Sequence, residues 1–262
     1  MITPSSRAGI INSLRNYTTA GLIANVDLNN NYGFSGNTAH DLQKPAIKYN
    51  TPGGFVSVIS GSTGRPSYIE FDGVTDYLIA TQGATGAATE FGGLTCGTVD
   101  VWVYIAQTTA SPPTLVSNNS LNTGATARGF SLITTQSPPI ARFAFNNGTS
   151  TLGVSIPGLT GATGEWNNYF GRFEADGNNA KVTGIVFRPS GLSAYNLITG
   201  ATAANLANGM TSNNLLAIGR RSAQATQYLN GRIGSVRIYN RLLSQSEMEF
   251  NYNRSKTRYG HT

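Results

Sequence analysis

The run YLNGRIGSVRIYNRLLSQSEMEFNYNRSKTRYG, residues Tyr228–Gly260, decides the fold. It holds three signals in order. Asn230-Gly231 is a turn dipeptide, tolerant of positive φ at low cost. Arg232–Tyr239 is a strand of β-branched and aromatic residues, with Gly234 at a bulge where strict alternation slips. Ser244 stands where a helix N-cap belongs, and Glu247 three residues on completes a capping box. Met248, Tyr252 and Ser255 follow at helical spacing. The chain thus closes with a strand and a helix of roughly three turns.

Working back from that unit, the chain reads as short strands. Thr98–Ile105 is the plainest, with Val99, Val101, Val103 and Ile105 on one face and Asp100, Trp102 and Tyr104 on the other. Both faces are largely apolar, which predicts a central strand. Leu22–Leu28 alternates as a half-buried strand, and Asn29–Thr51 reads as loop. Gly53–Ser60, Tyr68–Phe71 and Asp76–Ala80 follow, the last two joined tightly at Asp72-Gly73. Thr114–Val116, Gly129–Thr134, Ile140–Asn146 and Thr151–Ile156 continue the series. Trp166–Ala175 and Lys181–Arg188 form a hairpin, and Leu215–Gly219 is a last short strand before the terminal unit. Short strands at regular intervals with Gly/Asn turns predict a β-sandwich.

Residues 1–20 read as an arm in which Ser5 or Ser6 caps a short helix presenting Ile10, Ile11 and Leu14. Such a helix is too short to stand alone in water, so it docks on the sandwich or on a neighbouring subunit. Residues 21–262 read as one domain, since sandwiches of this length are commonly single units.

Several stretches carry a family resemblance. IGSVRIYNRLLSQSEMEFNY (Ile233–Tyr252) resembles the final strand and C-terminal segment of concanavalin A-like, laminin-G-like jelly-roll domains. YIEFDGVTDYLIA (Tyr68–Ala80) resembles their FDG..DY strand–turn–strand, and Trp166–Arg188 resembles their tryptophan-led hairpin. GLIANVDLNN from Gly21, the following SGNTAHDL, and the ending NYNRSKTRYG are similar to domains of this type in phage virion proteins. The resemblance spans about residues 20–260. It implies an all-β, concanavalin A-like jelly roll of two antiparallel sheets, with a short C-terminal helix and an N-terminal arm. Fold does not imply function, and this architecture hosts lectins, glycanases, adhesion modules and virion proteins alike.

Composition narrows the classes. Charged residues make up 11% of the 262, against roughly 25% in ordinary soluble proteins, so the surface is neutral and polar. The net charge of +6 sits entirely in Arg220–Thr262, which holds eight basic and two acidic side chains. Arg254, Lys256 and Arg258 are the candidate partner-binding residues there, together with Ile10, Ile11 and Leu14 in the arm. The alternative reading of the three cations is a solvated helix end complementing the helix dipole. Basic and aromatic residues do not interleave as in a nucleic-acid groove, and no run approaches the ~18 apolar residues of a membrane span. Nucleic acid and membrane are therefore not expected partners. A single cysteine, Cys96, forbids an intrachain disulfide, which points to assembly in a reducing cytoplasm. Cys96 itself reads as a small buried apolar group.

An active site finds little material. A glycanase needs two carboxylates close together, and on a strand Glu70 and Asp72 share a face. The next positions on that face are Val74 and Asp76, so the third carboxylate of a glucanase pattern is missing, and Asp72 also reads as a turn stabiliser. His40 and His261 are the only histidines, too few for a relay or a His-based metal site. No cofactor is expected. The exception considered is a calcium ion held by Asp72, Asp76 or Asp100 with backbone carbonyls, as the resemblance to laminin-G-like domains implies. A lectin-like surface would need an aromatic platform, and Trp102 with Tyr104 or Trp166 with Tyr169 are the candidates. The alternative is that these rings are sandwich core.

The reading is a non-enzymatic phage virion structural protein, a capsid decoration or other surface-attached subunit, assembled in the host cytoplasm. Its partners would be other virion proteins or copies of itself. The alternative is a carbohydrate-binding module (a lectin, adhesin or receptor-binding tail) directed at a cell-surface glycan, and a glycanase comes third.

Overall fold

The computed structural model describes residues 17–27, 34–35, 38–40, 48–50, 57–59, 66–80, 94–106, 113–118, 128–134, 141–147, 151–156, 164–176, 179–188, 191–200, 215–221 and 226–262. The arm residues Ile10, Ile11 and Leu14 lie outside them. In chain order the strands begin with β1 (Leu22–Asp27), β2 (Phe34–Ser35), β3 (Thr38–His40), β4 (Lys48–Asn50) and β5 (Ser57–Ile59). Then come β6 (Tyr68–Asp72), β7 (Leu78–Ala80), β8 (Cys96–Ile105), β9 (Thr114–Ser117), β10 (Arg128–Thr134), β11 (Ala141–Asn147) and β12 (Thr151–Ile156). The last are β13 (Trp166–Asp176), β14 (Asn179–Arg188), β15 (Gly191–Gly200), β16 (Ala217–Ile218) and β17 (Asn230–Tyr239), followed by helix α1 (Gln245–Ser255) and a 3₁₀ turn at Lys256–Tyr259.

These strands make the jelly-roll sandwich. The first sheet runs β15-β14-β13-β8-β17-β6-β5, with β1 also on β17, and the second runs β12-β11-β10-β9-β16-β7-β4-β3-β2. All recorded pairings are antiparallel. The closing strand β17 lies at the centre of the first sheet. One edge pairs with β8 along nearly its whole length. The other edge is shared, β6 taking Asn230–Ile233 and β1 taking Ser235–Tyr239. Its edges are held by three strands, and its faces are covered by the intersheet core on one side and the terminal segment on the other, so it is buried from Ile233 to Tyr239.

Alternation then sorts the side chains. Val99, Val101, Val103, Ile105, Ile233, Val236 and Ile238 point inward with Phe71, Phe130, Phe143, Phe173 and Tyr169 to form the core between the sheets. The opposite face of the first sheet carries Trp102, Phe170, Ile185, Phe187 and Tyr239, and these meet Leu243, Met248, Tyr252 and Tyr259 of the terminal segment as a second apolar cluster. Helix α1 starts as the capping box requires. The Glu247 backbone N–H donates to Ser244 Oγ at 3.3 Å, and the Ser244 N–H donates to Glu247 Oε2 at 2.8 Å. Arg241 adds a bidentate bond to the same carboxylate, at 3.0 and 2.6 Å. Met248, Tyr252 and Ser255 are buried against the sheet.

Four expectations change. Asn230-Gly231 is not a turn: both residues are already in β17, opposite Asp72 and Phe71. Gly231 is needed for close approach, because a Cβ there would collide with the Tyr104 carbonyl oxygen. Gly234 does mark the bulge, at the register shift between Ile233 and Ser235, where a Cβ would collide with the Tyr259 ring. Asn29–Thr51 is not all loop, since β2, β3 and β4 lie within it, each too short to show a period. Cys96 opens β8 half-buried rather than buried, its thiol 3.7 Å from the Asn240 carbonyl oxygen. The arm's boundary also moves. Tyr17 is buried with its ring 3.5 Å from the Arg237 guanidinium, and the Thr18 N–H donates to Asn251 Oδ1 at 2.9 Å, so the domain begins by residue 17. Among the described residues no helix is long and apolar enough to cross a membrane.

Candidate functional site

The outer face of the first sheet divides into two parts, one beneath the terminal segment and one beyond it. Beneath it, the Trp102 ring stacks on Tyr259 at 4.1 Å and on Tyr252 at 5.8 Å, and its Nε1–H donates to Ser255 Oγ at 2.9 Å. Trp102 is 0% exposed. Beside it lies a wholly buried guanidinium. Arg237 donates to Asp100 Oδ2 at 3.1 Å and to Asp27 Oδ2 at 3.2 Å, while Arg258 reaches Asp27 Oδ1 at 3.5 Å and the Tyr17 hydroxyl at 3.2 Å. Asn168 Nδ2 donates to Asp100 Oδ1 at 2.7 Å. Burial opposes the charge on Arg237, but Tyr17, Asp100 and Asp27 outweigh it and keep the group protonated.

Beyond the helix the same face is open. Register places Trp166, Tyr104, Arg232 and Glu70 in one row across four neighbouring strands. Tyr68 lies two residues before Glu70 on β6 and so shares its face. The Trp166 ring sits 5.9 Å from both Tyr68 and Tyr104, tilted 56° and 59° to them, so the rings form a trough rather than a flat plate. The Arg232 guanidinium lies 4.8 Å from the Tyr68 ring and 4.9 Å from the Tyr104 ring, and its Nε–H donates to Glu70 Oε1 at 2.9 Å. All five side chains are partly exposed. The terminal segment steadies one wall: Tyr259 packs on Trp166 at 4.8 Å, and His261 Nε2–H donates to the Trp166 carbonyl at 2.8 Å.

The trough opens onto a cleft of about 330 Å³ lined by Glu70, Phe71, Asp72, Asp76, Ala106, Asn230 and Gly231. Asp72 organises its floor. Its Oδ1 accepts from the N–H groups of Val74, Thr75 and Asp76 at 2.8–2.9 Å, and its Oδ2 accepts from the Thr75 hydroxyl. Burial pushes this carboxyl up, yet the four donors outweigh it and hold it at about 2. The Asp76 carboxyl moves the other way, raised by burial and by the neighbouring Asp72 charge. Asp76 Oδ2 accepts the Asp72 N–H at 3.1 Å. The arrangement offers apolar ring faces beside hydrogen-bonding carboxylates and an amide, the mixture that small-molecule sites use to combine burial with orientation.

The residues expected from sequence fare differently. Tyr104 and Trp166 come together in the open trough. Trp102 and Tyr169 are corrections, since neither presents a face to a ligand. Trp102 is roofed by α1 and the 3₁₀ turn, and Tyr169 points into the intersheet core opposite Val101. Three residues along a strand reverse the face, which separates Tyr169 from Trp166. Tyr68 and Arg232 were missed; only cross-strand register brings them to the site. Arg258 is also corrected as a free attachment charge, being held by Tyr17 and Asp27. Arg254 is exposed with its guanidinium 5.1 Å from the Phe250 ring, and Lys256 Nζ donates to the Thr262 carbonyl at 3.0 Å. Asp72 and Asp76 adjoin each other, but Asp100 is sealed under the helix with Arg237, so the three do not form one calcium site. Among the described residues no three His, Cys, Asp or Glu side chains gather where they could hold a metal ion. Glu70 and Asp72 share a wall of the cleft, Glu70 bonded to Arg232 and Asp72 to its own turn.

No protein-family model matches the chain, and no curated protein matches it in sequence. Solved structures do match. A Trypanosoma rangeli sialidase in complex with sialic acid is 14% identical with a TM-score of 0.57, over 91% of this chain and 33% of the sialidase. The binding domain of botulinum neurotoxin DC in complex with rat synaptotagmin II is 14% identical with a TM-score of 0.56, over 91% of this chain and 52% of that domain. The CBM40 of a Ruminococcus gnavus IT-sialidase aligns over 60% of this chain and 82% of its own, at 15% identity and a TM-score of 0.45. The chain spans about a third of the sialidase and about half of the toxin domain. At such identities the likeness is one of fold, and the fold is the two-sheet jelly roll that the residues themselves build.

Proposed function

We propose that the chain is a non-enzymatic adhesive module that binds glycan in the trough of Tyr68, Tyr104 and Trp166 beside the Glu70–Asp76 cleft. One observation carries this reading: on a sheet face otherwise roofed by the terminal segment, these rings stay partly open next to carboxylates and an amide. A pyranose has an apolar C–H face and a rim of hydroxyls, and the trough meets the first while Glu70, Asp76 and Asn230 meet the second. The structures it resembles in fold include a sialidase in complex with sialic acid, which agrees with a sugar ligand without naming this one. The non-enzymatic part is supported by what the carboxylates do. Glu70 accepts from Arg232 and Asp72 ties its own turn, so neither carboxylate stands as a free general acid or nucleophile. A glycan array read with wild-type protein and with Trp166→Ala tests the reading. Trp166→Ala is expected to lose binding by roughly 30-fold or more, the loss of an aromatic anchor (about 2 kcal/mol), and to remain folded. Binding that survives this change unaltered refutes the site.

The resemblance of the chain's opening and ending to phage virion proteins supplies the setting we favour for such a module: a surface-attached virion subunit, assembled in the host cytoplasm, in contact with other virion proteins or copies of itself. Exposed Arg254 and Phe250 on the outer side of α1 support it as an attachment point. Co-sedimentation with assembled particles, compared with an Arg254→Glu, Lys256→Glu variant, tests this half separately. Undiminished occupancy in the variant removes α1 as the attachment point.

A further inference from the structure

The tyrosines and arginine of the trough have a counterpart across the cleft. Tyr77 and Tyr228 lie with ring centroids 6.2 Å apart and planes 56° apart, and the Arg220 guanidinium sits 3.6 Å from the Tyr77 ring centre. Both sets are partly exposed. Both also spring from the cleft walls. Tyr68 stands two residues before Glu70 and Tyr104 two before Ala106, while Tyr77 directly follows Asp76 and Tyr228 stands two before Asn230. Two residues of strand span roughly 7 Å, so each ring is rooted within that length of chain from a cleft-lining residue. The first set lies on one sheet and the second bridges both. Tyr68, Tyr104 and Arg232 sit on β6, β8 and β17 of the first, whereas Tyr77 leads into β7 and Arg220 follows β16 in the second, with Tyr228 on the approach to β17. The cleft therefore lies at the rim where the sheets meet, with an aromatic set on either side.

Resting on the carbohydrate reading above, we propose that Tyr77, Tyr228 and Arg220 form a second subsite, and that the ligand is an oligosaccharide laid across the rim rather than a single sugar. The cleft, at about 330 Å³, is at the small end of ligand pockets and suits one ring. The sets on either side offer ring faces to the sugars before and after it. Charge narrows the class further. Arg232 is already paired with Glu70, and Asp72 and Asp76 line the same wall, so the centre of the site disfavours an acidic sugar and favours a neutral one.

The test is a length series. Mono- to hexasaccharides of the glycan that scores on the array are titrated calorimetrically into wild-type protein, Tyr228→Ala, Tyr77→Ala and Trp166→Ala, each checked for native near-UV circular dichroism. Wild-type affinity is expected to rise at least about tenfold with length. Tyr228→Ala or Tyr77→Ala should flatten that rise and leave the monosaccharide unaffected, while Trp166→Ala weakens every length. A flat wild-type series, or a rise untouched in both tyrosine variants, overturns the second subsite and leaves the first standing. An array on which folded wild-type protein binds nothing overturns both.

Discussion

The outer face of the first sheet carries one set of chemistry twice. Under α1 and the 3₁₀ turn lie Trp102, Tyr252, Tyr259 and an arginine, Arg237, clasped by Asp27 and Asp100. Beyond their edge lie Trp166, Tyr68, Tyr104 and an arginine, Arg232, clasped by Glu70. Residue types do not separate the two, but cover does. A buried ion pair loses its hydration and needs a complete set of partners, which Asn168, Tyr17 and Arg258 help to supply. A surface pair keeps most of its hydration and contributes little to stability, so it is free to serve recognition.

Arginine replacement breaks the comparison most sharply. Arg237→Leu leaves Asp27 and Asp100 buried without the guanidinium between them and is expected to cost about 3–5 kcal/mol, read as a fall in the urea midpoint. Arg232→Leu in the open half should cost about 1 kcal/mol or less. Equal costs would mean that the covered and open halves are energetically alike.

The tryptophans come next. Trp102→Ala should destabilise by about 3–5 kcal/mol, as large aromatic deletions in cores do, whereas Trp166→Ala costs less stability and most of the glycan affinity. Thermal unfolding and the array, run on the same two proteins, give opposite rankings if the division is real.

Acid titration probes the cover itself. Hydrogen bonds from Arg241 come first among the causes that hold Glu247 at about 2, against a modest opposing burial and with the Ser244 N–H assisting. Its folded value is depressed, so its stabilisation is full above its ordinary value of 4.5 and is lost as pH falls toward 2. Discounted for its partial exposure, Glu247→Gln should cost about 1 kcal/mol at neutral pH and nothing near pH 2. His261 is depressed by burial, with the Trp166 carbonyl and Glu165 opposing and Lys256 assisting. It therefore favours the fold above 6.5 and withdraws that support as pH drops, so His261→Gln should flatten the stability curve just below 6.5. The smallest effect belongs to Arg254→Glu on the outer side of α1. Its cost is expected within about 0.5 kcal/mol, and a larger drop in melting temperature would show that this side packs against something.

Much of this is legible in the residues alone. The Ser244–Glu247 capping box, the 3.6-residue spacing of Met248, Tyr252 and Ser255, and the alternation of Val99, Val101, Val103 and Ile105 are local patterns, and each produced its element. The Asn230-Gly231 pair misled because a glycine is demanded both by turns and by close backbone approach, and the sequence shows the residue without showing which demand applies. Part of the candidate site was legible: Tyr104 and Trp166 as aromatic strand positions, and Glu70, Asp72 and Asp76 as carboxylates on one face. The roles of Tyr68 and Arg232 come from strands whose neighbours are set by a crossover through the whole chain.

By itself, then, the sequence determined the elements that carry a full period or a cap, because hydrogen-bonding period and capping act over a few residues. The tertiary structure alone decided which of two similar aromatic clusters was roofed. That depends on where a three-turn helix comes to rest, and its resting place is set by Tyr252 and Tyr259 finding Trp102 more than 140 positions away in the chain.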